Sequence, residues 1–187
     1  MKLKFKIVKD NQKSIREKCE WIPTPIEGKY IDFVNDMHDY LLLTQNEEVA
    51  TKYHLREGIG LAAPQVGHNI RALVVYYVDY DRDGNEIIID HRLINPKIIS
   101  ESVKLAYLKA GEGCLSVDTP HEGYVYRKYK IMVKAFDAKT KKDTIITAKG
   151  YEAIVLQHEL DHLDGVLFYD HIDKNDPFKK LDNSVSY

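Results

Sequence analysis

The stretch from residue 151 to 163 reads YEAIVLQHELDHL. It is dense in apolar residues and contains neither proline nor glycine, and Gly165 follows where a helix C-cap is expected. The sequence therefore predicts a helix over 151–163. Because apolar residues lie on most of its faces, we expect this helix to be buried rather than to lie on the surface.

The region before this helix has the pattern of short β-strands. Runs rich in β-branched and aromatic residues occur at 71–79, 86–90, 93–100, 103–109, 124–137 and 144–149. Asp83-Gly84 separates the first two runs and predicts a tight hairpin turn, and residues 138–142 predict a second turn. Adjacent short strands joined by turns of this kind are typical of an antiparallel sheet.

The N-terminal part of the chain has a different periodicity. Apolar residues recur at three- and four-residue spacing after Gly28, which predicts an amphipathic helix over about 28–44. Residues 21–25, WIPTP, predict an extended connector before it. Strands grouped between two helices, without regular alternation, indicate the α+β class. We expect short antiparallel strands packed around the buried helix 151–163, with the amphipathic helix near the N-terminus.

Length and composition favour one globular unit. The chain has 187 residues, 44% of them hydrophobic, and no linker rich in glycine, serine or proline divides it. A chain of this size suits one packed core, so we expect a single domain over 1–187. From about residue 174 the sequence has little helical periodicity and contains Pro177, which predicts a mobile C-terminal end.

Charge and hydropathy exclude several classes of partner. The net charge is -2, so the chain has no strongly basic field for a phosphate backbone, and no nucleic-acid specificity is expected. The longest apolar run, residues 72–78, is far shorter than the roughly 20 residues that cross a bilayer. Residues 1–10 alternate lysine with apolar residues, unlike a secretory leader. We therefore expect no membrane segment and a cytoplasmic location.

Helix 151–163 contains a metal-binding pattern. His158 and His162 are four residues apart, so both imidazoles lie on one helix face and can bind a single ion. Glu159 lies beside them and can exchange a proton with a water held there, as metal-dependent amide hydrolysis requires. The alternative reading of these residues is an ordinary solvated helix face.

A catalytic site of this type needs a third protein ligand. One peptidase class uses a downstream glutamate, but Glu159 is the last glutamate in the chain. Another class uses a third histidine at the position that Phe168 occupies here. Asp170 and His171 remain downstream candidates. Cys114 is favoured, because its thiolate is flanked by glycine and can approach a metal closely.

Three segments together resemble the signatures of peptide deformylases. They are GIGLAAPQ at 58–65, EGCLS at 112–116 and QHELDH at 157–162, in the same order as in that family. The likeness covers about residues 56–173. Insertions around 79–91 and 117–124 are similar to the longer, second type of the family.

The resemblance implies a metal centre held by Cys114, His158 and His162, with Glu159 as general base and acid. It implies Fe(II) as the native ion, while a thiolate beside two imidazoles is also compatible with Zn(II), Ni(II) or Co(II). It further implies that an oxyanion is stabilised by two hydrogen-bond donors, the Gln65 side chain and the Leu115 backbone N–H.

The resemblance also implies a substrate site. The peptide would bind to main-chain groups near Ile59, Gly60 and Gly113, and its methionine side chain would enter a pocket formed by Ile59, Tyr151, Ile154 and Val155.

Glu112 and Arg127 match a pair that supports the site, although Tyr126 stands where the family often has proline.

A member of this family would be a single-domain, metal-dependent hydrolase that removes the N-formyl group from the initiator methionine of nascent polypeptides and releases formate. Its substrate would be the nascent chain, which implies transient association with the ribosome. Two other functions are compatible with the residues alone. A metalloendopeptidase would use a different third ligand, and a structural zinc module would close the metal with four protein ligands.

Overall fold

A computed structural model describes residues 3–81 and 83–187. The helices are α1 (Gly28–Gln45), α2 (Glu47–Tyr53) and α3 (Tyr151–Leu163). The strands are β1 (Gly60–Ala62), β2 (Ala72–Tyr80), β3 (Glu86–Glu101), β4 (Leu105–Tyr107), β5 (Arg127–Lys128), β6 (Lys130–Asp137), β7 (Lys142–Lys149) and β8 (Ser184–Ser186). No helix in these ranges is long and apolar enough to cross a membrane.

The strands form two sheets. An antiparallel sheet has the order β1-β2-β3-β6-β7, and a smaller sheet has the order β5-β4-β8. In the large sheet, side chains alternate between two faces with a period of two residues. Leu73 and Val75 of β2 belong to the apolar cluster that contains α3 residues, whereas Ala72 and Val74 belong to the cluster that contains α1 residues. Helices α1 and α3 therefore cover opposite faces of the sheet.

This architecture confirms the predicted α+β class, and several elements agree closely with the sequence. Helix α3 has the predicted bounds, and α1 ends one residue beyond its prediction. Strands β2 and β3 pair antiparallel up to Tyr80 and Glu86, so they form the hairpin predicted at Asp83-Gly84. Gly84 there has φ of 84°, a left-handed conformation that costs glycine little.

The predicted strand boundaries are wrong in several places. The runs 86–90 and 93–100 form one continuous strand, β3. Its pairing with β6 shifts register at two bulges, one between Ile94 and Lys97 and one between Ile98 and Ser100, and the first of these has specific contacts. Pro96 lies there and has no N–H to donate, and Asn95 adopts φ of 53°. The side chain of Asn95 accepts a hydrogen bond from the Ile22 N–H and donates one to the Ile22 carbonyl, both at 2.8 Å. The bulge thus anchors the connector before α1.

Other differences involve short elements. The run 103–109 contains only the three residues of β4, and the run 124–137 is divided between β5 and β6. Helix α2 was not predicted, because none of its residues is buried and it has no apolar face. Its N-terminus is capped by Asn46, whose side chain accepts a hydrogen bond from the Val49 N–H at 3.0 Å.

The C-terminal strand β8 pairs in parallel with β4. The Tyr187 N–H donates to the Tyr107 carbonyl at 2.9 Å, which extends this pairing by one residue. The ring of Tyr187 also lies against Gly150, where an added Cβ would overlap its hydroxyl. These contacts join the C-terminus to the residue that precedes α3. The single domain and the mobility of this end remain predictions.

Candidate metal centre and active site

Helix α3 presents two histidines toward one point. His158 and His162 are one turn apart, and their ring centroids lie 5.0 Å from each other. Gly150 precedes the helix with φ of 60°, which allows the chain to turn sharply from β7 into α3. The apolar residues of α3 are buried against the sheet, so they fix the direction in which both imidazoles point.

Cys114 reaches these histidines from the loop between β4 and β5. Its Sγ lies 3.2 Å from Nε2 of His162, and one ligand atom from each of Cys114, His158 and His162 lies within 4.8 Å of the others. Tetrahedral coordination places a sulfur and a nitrogen ligand roughly 3.5 Å apart, so this arrangement fits one divalent ion. It is the only such group of three in the described parts of the chain.

The two downstream candidates for the third ligand have other partners. Asp170 forms an ion pair with Arg16 and accepts a hydrogen bond from the Leu167 N–H at 2.8 Å. Nε2 of His171 lies 2.7 Å from Oδ2 of Asp161. The structure therefore brings Cys114, rather than Asp170 or His171, to the two histidines.

Each imidazole is prepared for coordination in a different way. Nδ1 of His158 lies 2.8 Å from Oε2 of Glu112, which orients the ring and leaves Nε2 for an ion. His162 is buried, and burial together with the nearby charge of His158 holds its pKa well below the ordinary value. A neutral ring keeps the nitrogen lone pair that a metal needs.

A buried ionic network supports His158. Arg127 donates to both carboxylate oxygens of Glu112, at 2.7 and 2.9 Å, and also to Asp161 at 2.6 Å. Burial works against ionisation of Glu112, but hydrogen bonds from Arg127 and His158 prevail and lower its pKa to about 2.

Tyr126 does not disturb this network, because its hydroxyl donates to the Lys179 carbonyl at 2.7 Å. Asp161 was not predicted as a supporting residue, since only the tertiary structure joins it to Arg127.

Glu159 is placed differently from Glu112. Its carboxylate is buried, and no hydrogen-bond partner for Oε2 is found among the described residues. Burial is the main cause that raises its pKa to about 7. Gly60 of β1 lies directly against it, and any Cβ at that position would overlap the carboxylate. A glycine is therefore required where the edge strand passes the proposed base.

Two potential hydrogen-bond donors, the Gln65 side chain and the Leu115 N–H, belong to residues that line the same cavity as Cys114 and His158. The Gln65 side chain is oriented by the Ala62 N–H, which donates to its Oε1 at 2.7 Å. Its Nε2 lies at longer distances from Oγ of Ser116, 3.3 Å, and Sγ of Cys114, 3.5 Å. Within residues 3–81 and 83–187, the N–H of Leu115 makes no hydrogen bond. Neither donor is therefore committed to a short hydrogen bond within the described residues.

A cavity of about 340 Å³ opens beside these groups. It is lined by the residues predicted to bind substrate, Ile59, Gly60, Gly113, Tyr151, Ile154 and Val155, together with Gln65, Cys114, Leu115, His158 and Glu159. Arg56 and Leu108 also line it, although no motif in the sequence points to them. Arg127 lies behind the cavity wall and reaches it only through Glu112.

Comparison with known proteins gives one consistent result. The model of the polypeptide deformylase family matches residues 4–178. A peptide deformylase of Macrococcus caseolyticus is 44% identical over 180 residues, covering 96% of this chain and 96% of that protein. The crystal structure of peptide deformylase from Ehrlichia chaffeensis matches with a TM-score of 0.74 and 31% identity, covering 92% of this chain and 90% of that one.

A second solved structure contains a peptide. It is the Met-Ala-Ser bound class I type b peptide deformylase of Acinetobacter baumannii. It matches with a TM-score of 0.71 and 25% identity, covering 92% of this chain and 100% of that one.

Proposed function

Since this chain belongs to the peptide deformylase family and removes the N-formyl group from nascent polypeptides, we propose that Cys114, His158 and His162 hold its catalytic metal ion. One observation carries this proposal. Three metal-binding side chains converge at the edge of a cavity, next to a buried carboxylate whose Oε2 has no partner among the described residues. A fourth protein ligand, which a structural zinc site needs, is not found in the described group.

We propose Fe(II) as the native ion. This choice follows from membership of the family, since the donor set of one thiolate and two imidazoles accommodates Fe(II), Zn(II), Ni(II) and Co(II) alike. When bound, the ion supplies Lewis acidity that makes a water more acidic and polarises the formyl carbonyl.

Glu159 is the proposed proton carrier. Burial raises its pKa to about 7, so its carboxylate can accept a proton and return it near neutral pH. The proton comes from the water that adds to the formyl carbon. Glu159 then delivers it to the methionine nitrogen as the C–N bond breaks, which leaves formate and a free amino terminus. Gly60 leaves Glu159 the space for this role.

Gln65 and Leu115 are the proposed oxyanion donors. As the formyl carbon becomes tetrahedral, its oxygen gains negative charge and needs donors that are already oriented. The Ala62 N–H fixes the amide of Gln65 by its oxygen and leaves the NH₂ group directed at the site. The Leu115 N–H, one residue after Cys114, supplies the second donor.

The cavity is the proposed methionine pocket. Ile59, Tyr151, Ile154 and Val155 give it apolar walls, which suit an unbranched thioether. Main-chain groups near Gly60 and Gly113 can pair with the substrate backbone and so recognise many sequences. The Met-Ala-Ser peptide bound to the Acinetobacter baumannii relative supports this reading, because it is a deformylated product of the expected kind.

The substrate sets the proposed location and partners. Nascent chains carrying formyl-methionine emerge from ribosomes in the cytoplasm, so we propose that the enzyme acts there and contacts the ribosome transiently. The recognition chemistry described here is for a peptide, and no specificity for nucleic acid is proposed.

Formate release tests the assignment. The metal-loaded full chain should release formate from formyl-Met-Ala-Ser and none from Met-Ala-Ser. Glu159→Gln keeps the shape of the side chain but cannot carry the proton, so kcat should fall by about a thousandfold. The variant should still bind one metal ion per chain, measured by elemental analysis. Retained activity in Glu159→Gln would overturn the assignment of the base.

A further inference from the structure

The segment 8–10, here called the N-terminal strap, crosses behind the two proposed oxyanion donors. The Val8 N–H donates to the Gln65 carbonyl at 2.8 Å. The Asp10 N–H donates to the Ser116 carbonyl at 2.9 Å, and Nζ of Lys9 donates to the Leu115 carbonyl at 2.9 Å. Three consecutive residues therefore hold both segments that supply the donors.

The strap contacts the turn after Cys114 on its carbonyl side. The Cys114 carbonyl accepts a hydrogen bond from the Val117 N–H at 3.2 Å, which closes the turn. The next two carbonyls, of Leu115 and Ser116, are the ones that the strap holds. The Leu115 N–H lies in the peptide plane of the Cys114 carbonyl, which the Val117 N–H holds, and the Val117 N–H lies in the plane of the Ser116 carbonyl, which Asp10 holds. The Leu115 carbonyl held by Lys9 belongs to the next peptide plane. The strap therefore restrains the backbone on both sides of Leu115, and with it the direction of the Leu115 N–H.

Gln65 and Leu115 are 50 residues apart in sequence and belong to different loops. The direct contact between these two loops through the Gln65 side chain is long, with Nε2 of Gln65 3.3 Å from Oγ of Ser116. An oxyanion hole is effective only if its donors keep a fixed separation before the charge develops. The N-terminal strap meets this requirement, because it is hydrogen-bonded to both loops.

We propose that the N-terminal strap sets the spacing of the oxyanion donors, and that Lys9 is a positioning residue for deformylation. The inference rests on the proposed roles of Gln65 and Leu115. Lys9 acts through the Leu115 carbonyl and does not touch the substrate.

The other partner of Lys9 does not account for its placement. Nζ of Lys9 also lies 2.7 Å from Asp118, whose side chain is 65% exposed. Exposed ion pairs of this kind contribute little to stability, because solvent screens them. The contact with the Leu115 carbonyl is partly buried and is the one that reaches the active site.

The test compares steady-state deformylation by metal-loaded variants. Lys9→Met removes the donor and keeps the aliphatic stem, so kcat should fall by about tenfold, while KM stays within about twofold, because the oxyanion exists only in the transition state. Lys9→Arg keeps a cationic donor and should retain kcat within about threefold. Lys13→Met, at an exposed position in the following turn, should match the wild type. Metal content should stay at one ion per chain in all three.

Two further variants distinguish a failure of the inference about Lys9 from a failure of the proposed oxyanion donors. Asp118→Asn removes the ion pair but leaves the Leu115 carbonyl its donor, so it should cost less than about threefold in kcat. An equal loss in Asp118→Asn and Lys9→Met would overturn the inference, as would an unchanged kcat in Lys9→Met. Gln65→Ala tests the oxyanion assignment itself. If Gln65→Ala keeps full activity, the proposed function of Gln65 fails, independently of the strap.

Discussion

The two faces of the large sheet each bury a histidine beside charged residues, yet only one face has the geometry of an active site. On the α3 face, His162 lies among Cys114, His158 and the Glu112–Arg127 pair. On the α1 face, His38 is buried and its Nε2 lies 3.2 Å from Oδ1 of Asp90. Burial lowers the pKa of both His38 and His162, so neither burial nor pKa separates them.

What separates the two faces is the convergence of metal-binding atoms beside a cavity. Asp90 is enclosed by opposite charges, with Nζ of Lys139 at 2.7 Å and Nε of Arg92 at 3.2 Å. Neither His38 nor Asp90 lines the cavity at the metal group. The α3 face brings one sulfur and two imidazoles together and leaves Oε2 of Glu159 without a partner among the described residues. We therefore expect substitutions in the metal group on the α3 face to affect metal binding and catalysis, and those at His38 and Asp90 on the α1 face to affect stability.

The largest effect is expected at the proposed thiolate ligand. Cys114→Ser should weaken metal binding by more than about 100-fold, because loss of a ligand exceeds the effect of losing its supporting hydrogen bond. Deformylase activity should fall with it. Elemental analysis and formate release measure both effects.

Cys19→Ser is the matched control, since Cys19 is the other buried free cysteine and lies in the apolar cluster of the α3 face. It should retain metal while losing some stability. A Cys114→Ser protein that keeps its ion as tightly as the wild type would remove the distinction between the two faces.

Arg127→Met should have the next largest effect. The side chain of Arg127 is only 3% exposed, and its removal takes the guanidinium from two carboxylates, leaving Glu112 with His158 and Asp161 with His171. The free energy of unfolding should fall by about 3–5 kcal/mol in urea titration, and metal affinity should fall as well.

Arg16→Met removes a more exposed ion pair, with Asp170, and should cost less than about 1 kcal/mol. Equal losses of stability in the two variants would contradict the special weight of the buried network, and an unchanged metal affinity in Arg127→Met would show that it adds no support to His158.

The smallest effect is expected on the α1 face. Asp90→Asn should lower the free energy of unfolding by about 1.5 kcal/mol and leave kcat within about twofold of the wild type. Burial opposes ionisation of Asp90, but hydrogen bonds from Arg92 and Lys139 hold its pKa below the ordinary value. Its contribution is therefore present above the unfolded-state pKa of about 4 and is lost as pH falls through the lower folded-state value.

Urea titrations of wild type and Asp90→Asn across this pH range measure the change. The difference in stability between them should shrink under acid conditions. A difference that grows as pH falls, or a large loss of kcat at neutral pH, would contradict a purely structural role for this face.

Local pattern was sufficient where one element carries its own signal. The apolar spacing of α1 and the proline-free apolar run of α3 predicted both helices, because a buried helix face leaves a periodic trace in the sequence. Helix α2 left no such trace, since it buries none of its residues. Strand β8 follows a polar segment, and its pairing with β4 depends on a partner about 80 residues away.

The active-site residues also differ in whether a local sequence pattern predicts them. The spacing of His158 and His162 predicted one ion from the geometry of a helix turn, and the sequence around Cys114 favoured the third ligand. No sequence motif points to Asp161 or Lys9, because their hydrogen bonds to Arg127 and to the Leu115 carbonyl join segments far apart in the chain. No local pattern records a hydrogen bond between distant segments.

The two main helices, the α+β class and the residues able to bind a metal were all predictable from the order of residues, since these follow from periodicity and side-chain chemistry within short segments. That Cys114, rather than Asp170 or His171, reaches the histidines became evident from the three-dimensional fold. The fold also brings His162 to a sulfur and a second imidazole, and His38 to Asp90 and its cationic partners. The physical reason is that folding brings together atoms from distant segments, and both metal binding and catalysis depend on the distances between those atoms.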